Sequence, residues 1–227
     1  MPTTKRTKSP RPRGRKTQLS RERIVDAALQ MAAEDRDLDA VTMRELAESL
    51  GVGTMTLYGY FRTKEELIDA TLDRAADEIR VPAPEGPWRA QLRSLVAEVY
   101  RVLRKYPVGV QVRARRPILS PGVLRTTDAA MGIMARAGLA KDEAARAWRV
   151  LFTYTFGFVA FTPEPVTDQM AQQWQSQLAA LSSQDLPWLV DALPEAIDAM
   201  IAPEQFYRGL DLILDGIEAG SEGTPDR

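Results

Sequence analysis

The 227-residue chain is predicted to be all-α, on three observations. Apolar residues recur at spacings of three and four in segment after segment, as in Leu92, Leu95, Val96, Val99 and Leu103. Thr42-Met-Arg-Glu45 and Thr63-Lys-Glu-Glu66 both have the form of a capping box, which opens helices. No stretch alternates apolar and polar residues as a half-buried strand does, and no internal repeat is present.

Residues 1–19 are rich in Pro, Arg, Lys, Ser and Thr, which predicts a disordered basic tail. Ser20 is a suitable N-cap for a first helix carrying Ile24, Ala27, Ala28, Met31 and Ala32, ended by the run EDRDLD. The Thr42 box opens a second helix, Met43 to about Leu50, with Leu46, Ala47 and Leu50 inward and Gly51 as its stop. A third starts at Thr54 after only Gly51, Val52 and Gly53. The Thr63 box opens a fourth, expected to reach about Arg80, with Leu67, Ile68, Thr71, Leu72, Ala75 and Ile79 buried. VPAPEGP (81–87) breaks the pattern and marks a domain boundary. Helices are then expected over Trp88–Lys105, Val108–Arg115, Pro121–Ala137, Lys141–Phe161, Asp168–Leu181, Leu186–Ile201 (broken by Pro187 and Pro194) and Pro203–Ala219. The last is expected to have Pro at its first position and Gly220 as its stop. Residues 221–227 read as a second disordered tail.

Composition removes much chemistry. The chain has no Cys and no His, which excludes disulfides, thiol catalysis, Ser–His triads and His- or Cys-ligated metals. No cofactor is expected. The N-terminus lacks a secretory apolar region and no run is long enough to span a bilayer, so a cytoplasmic protein without a membrane partner is expected. Net charge is −1, but residues 1–21 carry eight bases and no acid, while 141–227 carry five bases against fourteen acids. A chain polarised in this way presents one end to a polyanion and not the other.

The segment TMRELAESL–GVG–TMTLYGYF has the form of a helix-turn-helix, two short helices about a Gly-containing turn. In such units the second helix enters the major groove of DNA. If Leu57 and Phe61 face inward, Thr54, Thr56, Tyr58 and Tyr60 face outward, with hydroxyls suited to phosphate and base contacts. Thr42 sits at a helix N-terminus, which favours a phosphate. Arg44 is placed to reach a phosphate or a guanine edge, and Lys64 the backbone. The competing reading is a core helix decorated with Thr and Tyr. GVG as part of a dinucleotide-binding loop fails, since no strand precedes it and the third Gly is misplaced.

ERIVDAALQMAAE followed by VTMRELAESLGVGTMTLYGYFRTKEELID resembles the DNA-binding domain of the TetR family of bacterial transcriptional repressors, densely over about residues 20–80. EQFYRGLDLILDGIEA also resembles the last helix of many members. The resemblance implies a helix-turn-helix domain at 20–80, including a connecting fourth helix, and a ligand-binding and dimerisation domain at 81–220. It implies a homodimer on a palindromic double-stranded DNA operator, released by a small-molecule effector. By that resemblance Thr42 contacts a phosphate, Arg44, Thr54, Met55, Thr56, Tyr58, Gly59 and Tyr60 occupy groove-facing positions, and Lys64 a backbone position. Gly59 departs from the family, which often has a large side chain there, and Tyr60 replaces a frequent His. In the tail, Arg13 and Arg15 of RPRGRK fit a minor groove, the alternative being simple solvation.

Phe206, Leu210, Ile213, Leu214 and Ile217 form one stripe, and Trp148, Leu151, Phe152 and Thr155 another. Each is either internal core or half of an interface; the resemblance favours a dimeric four-helix bundle of these two helices, with Trp148 and Leu151 beside the last helix's stripe at the interface. Tyr100, Met131, Met134, Phe152, Tyr154, Phe156 and Phe158 are candidates to line an apolar cavity, or are plain core. Of these, Tyr100, Met131, Met134, Phe152 and Phe156 are the expected effector contacts. Arg113, Arg115 and Arg116 neutralise an anionic ligand, support the DNA head or are solvated. Segment 163–202 is expected to cover the pocket. Two other classes remain: a carboxylate and metal enzyme built on Asp211/Asp215 or Glu65/Glu66/Asp69, and a ligand-independent activator or architectural factor.

Overall fold

The computed structural model describes residues 19–35, 42–107, 109–110, 112, 119–162, 168–179, 181–202 and 204–222. Its described elements are helices: α1 (Arg21–Asp35), α2 (Met43–Leu50), α3 (Thr54–Tyr58), α4 (Lys64–Ala76), α5 (Trp88–Lys105), α6 (Pro121–Arg136), α7 (Lys141–Phe161), α8 (Asp168–Ala179), α9 (Pro187–Asp191), α10 (Leu193–Ile201) and α11 (Gln205–Glu222). Gly109, Val110 and Val112 are helical too, within the short helix expected at 108–115.

Local chemistry accounts for the head. The Ser20 hydroxyl accepts from the Arg23 amide at 3.2 Å and caps α1. The Thr42 box is complete: its hydroxyl accepts from the Glu45 amide at 3.1 Å, and the Thr42 amide donates to the Glu45 carboxylate at 3.1 Å. Gly51 ends α2 at φ 67°, a left-handed conformation that costs glycine least. At the second box only one arm forms. Thr63 accepts from the Glu66 amide at 3.1 Å, but the Glu66 carboxylate accepts instead from the Arg62 amide (2.9 Å) and Arg21 (3.0 Å). One cluster joins Ile24 and Ala28 of α1, Leu46 of α2, Leu57 of α3, Phe61 of the α3–α4 turn and Leu67 of α4.

Three helix ends differ from expectation. α4 stops at Ala76, not near Arg80, because the Glu78 and Ile79 amides turn back to the Ala75 and Ala76 carbonyls at 3.1 Å. Asp77 and Glu78 are drawn to the body there: Asp77 pairs with Arg125, and Glu78 accepts from Lys105 (2.9 Å) and Tyr106 (2.8 Å). α11 starts at Gln205, not Pro203, and runs through Gly220 to Glu222. Gly220 is not among the positive-φ glycines, so it does not stop the helix, and residues 221–222 are helical rather than tail.

The body packs α5, α6, α7 and α11 around Leu92, Leu95, Ile133, Met134, Leu151, Phe206, Leu210 and Leu214. Tyr100 stacks on Phe206 with ring centroids 3.7 Å apart. Gly209 leaves room for the hydroxyl of Tyr154, which donates to the Phe206 carbonyl at 3.0 Å. A separate cluster, Leu29 and Ala32 of α1, Leu72 and Ala75 of α4, and Val102 and Tyr106, ties head to body.

Candidate nucleic-acid interface and effector cavity

α3 is a five-residue rod seated on its one buried side chain, Leu57. Its other side faces water. Met55 is 80% exposed and Tyr58 43%, and Thr56 and Gly59 are exposed, with Thr54 half-buried. The inward pair Leu57 and Phe61 has no exposure, as the spacing predicts. Tyr60 lies beyond the helix end, exposed, and also ties down the start of the chain. Its hydroxyl donates to the Leu19 carbonyl at 2.9 Å, and its carbonyl accepts from Arg21 at 2.8 Å. The Arg21 guanidinium lies 4.1 Å over the Phe61 ring. These contacts hold Leu19 against the α3–α4 turn. Arg13 and Arg15 themselves lie outside the described residues, as do Arg113, Arg115 and Arg116.

Thr42, Arg44 and Lys64 flank this surface. The Thr42 hydroxyl donates to the Glu45 carboxylate at 2.8 Å, so a phosphate at this N-terminus competes with that carboxylate. The Thr42 hydroxyl and amide, with Lys64 and Arg44 nearby, hold the Glu45 carboxyl below the ordinary glutamate range. Arg44 is strongly exposed and pairs with Glu48 at 3.0 Å, a solvated (i, i+4) contact that a phosphate can replace at small cost.

The body contains an apolar cavity of about 80 Å³. Leu72, Ala75, Ala76 and Ile79 come from α4 and its end, Val99, Val102 and Leu103 from α5, and Val123, Thr126 and Thr127 from α6. Trp148, Phe152 and Phe156 come from α7, and Gly109 completes the lining. Phe152 and Phe156 stack with centroids 4.2 Å apart. No lining residue is charged. The two hydroxyls already donate inward, Thr126 to the Gly122 carbonyl and Thr127 to the Val123 carbonyl, both at 3.0 Å, leaving only acceptor lone pairs.

Of the expected effector contacts, Phe152 and Phe156 line this cavity. Tyr100, Met131 and Met134 do not. Met134 is fully buried in the body core, Met131 packs against it, and Tyr100 is stacked on Phe206. Missed were the small aliphatics of α4 and α5. No described residue of the expected cover, 163–202, lines the cavity.

The expected dimer stripe is largely core. Leu151, Phe206, Leu210 and Leu214 have no exposure within the single chain, so they have no surface to offer a partner. Trp148 is buried at the cavity wall, and Ile213 and Ile217 pack against the body core. The same two helices expose another side: Val150 is 51%, Leu212 72% and Phe161 89% accessible. Nothing lies within 4 Å of where a Cβ would stand on Gly157, Gly216 or Gly220.

The acidic clusters offer no metal site. Asp211 pairs with Arg93 at 2.7 Å, and Arg89 bridges Asp215 and Glu218. Among the described residues no group of three acids could hold a metal ion, and no helix is long and apolar enough to cross a membrane.

Two family models match: bacterial regulatory proteins of the tetR family over residues 24–71, and the tetracyclin repressor-like C-terminal domain over 81–220. The HTH-type transcriptional repressor DrrR1 of Streptomyces coeruleorubidus is 31% identical over 218 residues, 91% of this chain and 80% of that protein. The class A tetracycline repressor from transposon 1721 of Escherichia coli is 28% identical over 204 residues, 88% and 91% of the two chains. Streptomyces coelicolor ActR, solved in complex with actinorhodin, superposes with a TM-score of 0.78 at 26% identity, covering 92% of this chain and all of that one. Helix-turn-helix head, connecting helix and helical body therefore have one reading: the chain belongs to the TetR family of transcriptional regulators, which are not enzymes.

Proposed function

We propose that the protein is a homodimeric cytoplasmic repressor that holds a palindromic operator and releases it when a small, largely apolar or aromatic effector enters the body. One observation carries this. The cavity wall is formed by Leu72, Ala75 and Ala76 of α4, the helix whose other end supports α3. A cavity of about 80 Å³ is well below the roughly 300–1,000 Å³ of drug-sized sites. An effector of that size has to move a wall, and moving α4 moves the head. It shifts DNA affinity by as much as it prefers the displaced state.

Thr42 and Lys64 serve as backbone contacts, and Arg44, Thr54, Met55, Thr56 and Tyr58 face the groove. Tyr60 anchors the tail whose Arg13 and Arg15 enter an adjoining minor groove. The dimer forms through the outward sides of α7 and α11, around Val150 and Leu212, where the bare glycines permit close approach. Two α3 rods then reach successive major grooves about 34 Å apart. The test is selection of duplexes from a random pool, followed by titration of the selected duplex–protein complex with actinorhodin as a planar aromatic probe. Paired half-sites and release by the probe are expected. A pool without enrichment, or a ligand-saturated protein that keeps its duplex, refutes the respective half of the reading.

A further inference from the structure

We propose that Met55 is a specificity-determining residue that reads the C5-methyl group of thymine in the operator. The inference rests on the DNA-binding reading above and deepens it. Residues 51–61 contain no charged and no amide side chain. The paired hydrogen bonds by which Arg, Lys, Asn or Gln recognise guanine or adenine are therefore unavailable to α3. What α3 offers instead is a thioether, two threonines and a tyrosine.

Met55 is 80% exposed, against 43% for Tyr58. The side chains that fix α3 are elsewhere: Leu57 and Phe61 are sealed inside the head, and Tyr60 holds Leu19. Met55 supports no part of the fold, so its flexible apolar side chain is available to a partner. Its neighbours let the rod come close. Gly53 precedes α3 and Gly59 follows it, so neither end carries a side chain to hold the backbone off. On the floor of a major groove the thymine methyl is the apolar feature distinguishing one base pair from another. A thioether laid on it excludes water from both.

The experiment uses the full chain and the duplex selected as above. Each thymine is replaced in turn by deoxyuridine, which removes the methyl and nothing else, and affinity is read by fluorescence anisotropy for the wild type and Met55→Ala. Burial of one methyl predicts about a fourfold loss when one half-site is altered and about sixteenfold when both are. Met55→Ala, on an exposed helical position, keeps the wild-type melting temperature, binds the thymine duplex more weakly and is indifferent to deoxyuridine at those positions. A wild type indifferent to deoxyuridine throughout overturns the proposal, and so does an equal penalty in Met55→Ala at every thymine. Both leave DNA binding itself standing. Failure to enrich any duplex overturns the DNA-binding reading first and this one with it.

Discussion

Gly122, in the first turn of α6, is where the body meets α4 most closely. Its amide donates to the Asp73 carboxylate at 2.6 Å. A Cβ added to it would stand 2.7 Å from the Ala76 Cβ, 2.9 Å from the Asp73 Oδ1 and 3.2 Å from the Asp73 carbonyl oxygen. Two of these three are fixed to the α4 backbone and cannot rotate away. Carbon atoms pack at about 3.5–4.0 Å, so Gly122→Ala asks α4 to retreat by about 1 Å. Overpacking of that kind costs about 1–3 kcal/mol. For a chain of this size, at about 2–4 °C per kcal/mol, the melting temperature falls by about 2–12 °C. Gly132 provides the control on the same helix. Its Cβ would meet only the movable Arg136 guanidinium, at 3.4 Å. There, replacing glycine by alanine in a helix interior adds about 0.5–1 kcal/mol. The two substitutions thus have opposite signs in a thermal melt. Ala76, Val123 and Thr126 surround Gly122 and line the cavity, so the retreat is the one an effector would impose. Gly122→Ala should therefore also bind its operator more weakly without any effector. If it melts with or above the wild type and holds operator equally well, α4 is not clamped to α6 and the transmission argument fails.

Three further outcomes follow from the same geometry. Leu212→Glu, on the outward side of α11, should yield a folded monomer by light scattering. Leu214→Ala, two residues on and fully buried, should instead destabilise the fold by about 2–5 kcal/mol. Val123→Phe fills the cavity from α6 and should abolish release by actinorhodin while operator binding persists, as paired anisotropy titrations would show. Burial pushes the Glu78 carboxyl up, but hydrogen bonds from Lys105 and Tyr106 and the charges of Lys105 and Arg101 outweigh it and hold the carboxyl below the ordinary range. Its stabilising contribution is thus complete above the unfolded value of about 4.3 and lost as pH falls through the lower folded value. Glu78→Gln should flatten the acid limb of a melting-temperature profile, the part that falls away as pH drops below the unfolded value of about 4.3.

How much of this was legible depends on how far apart the causes lie along the chain. α2, α3 and the start of α4 were readable because each is set by residues within four positions: the Thr42–Glu45 box, Gly51 at positive φ, the Thr63 cap. The end of α4 was not, because its tightened last turn is held by Lys105 of α5, by Tyr106 just past it and by Arg125 of α6. Periodicity showed that α7 and α11 each carry an apolar stripe but not what covers it. Leu151 and Leu214 proved to lie in their own chain's core, in one cluster with residues of α5 and α6, while the opposite side mixes Val150 and Leu212 with glycines that no apolar count registers. The cavity divides in the same way. Phe152 and Phe156 are legible as aromatics, but six of the fourteen lining residues are Leu, Ala and Val from α4 and α5, unremarkable until packing brings them together. Tyr60 shows the converse case. Its ring and polar tip suited a groove, yet Leu19, 41 positions earlier, already accepts from its hydroxyl. A local pattern states what a side chain is able to do; the distant chain that folds against it determines which of those capacities is left over for DNA or for an effector.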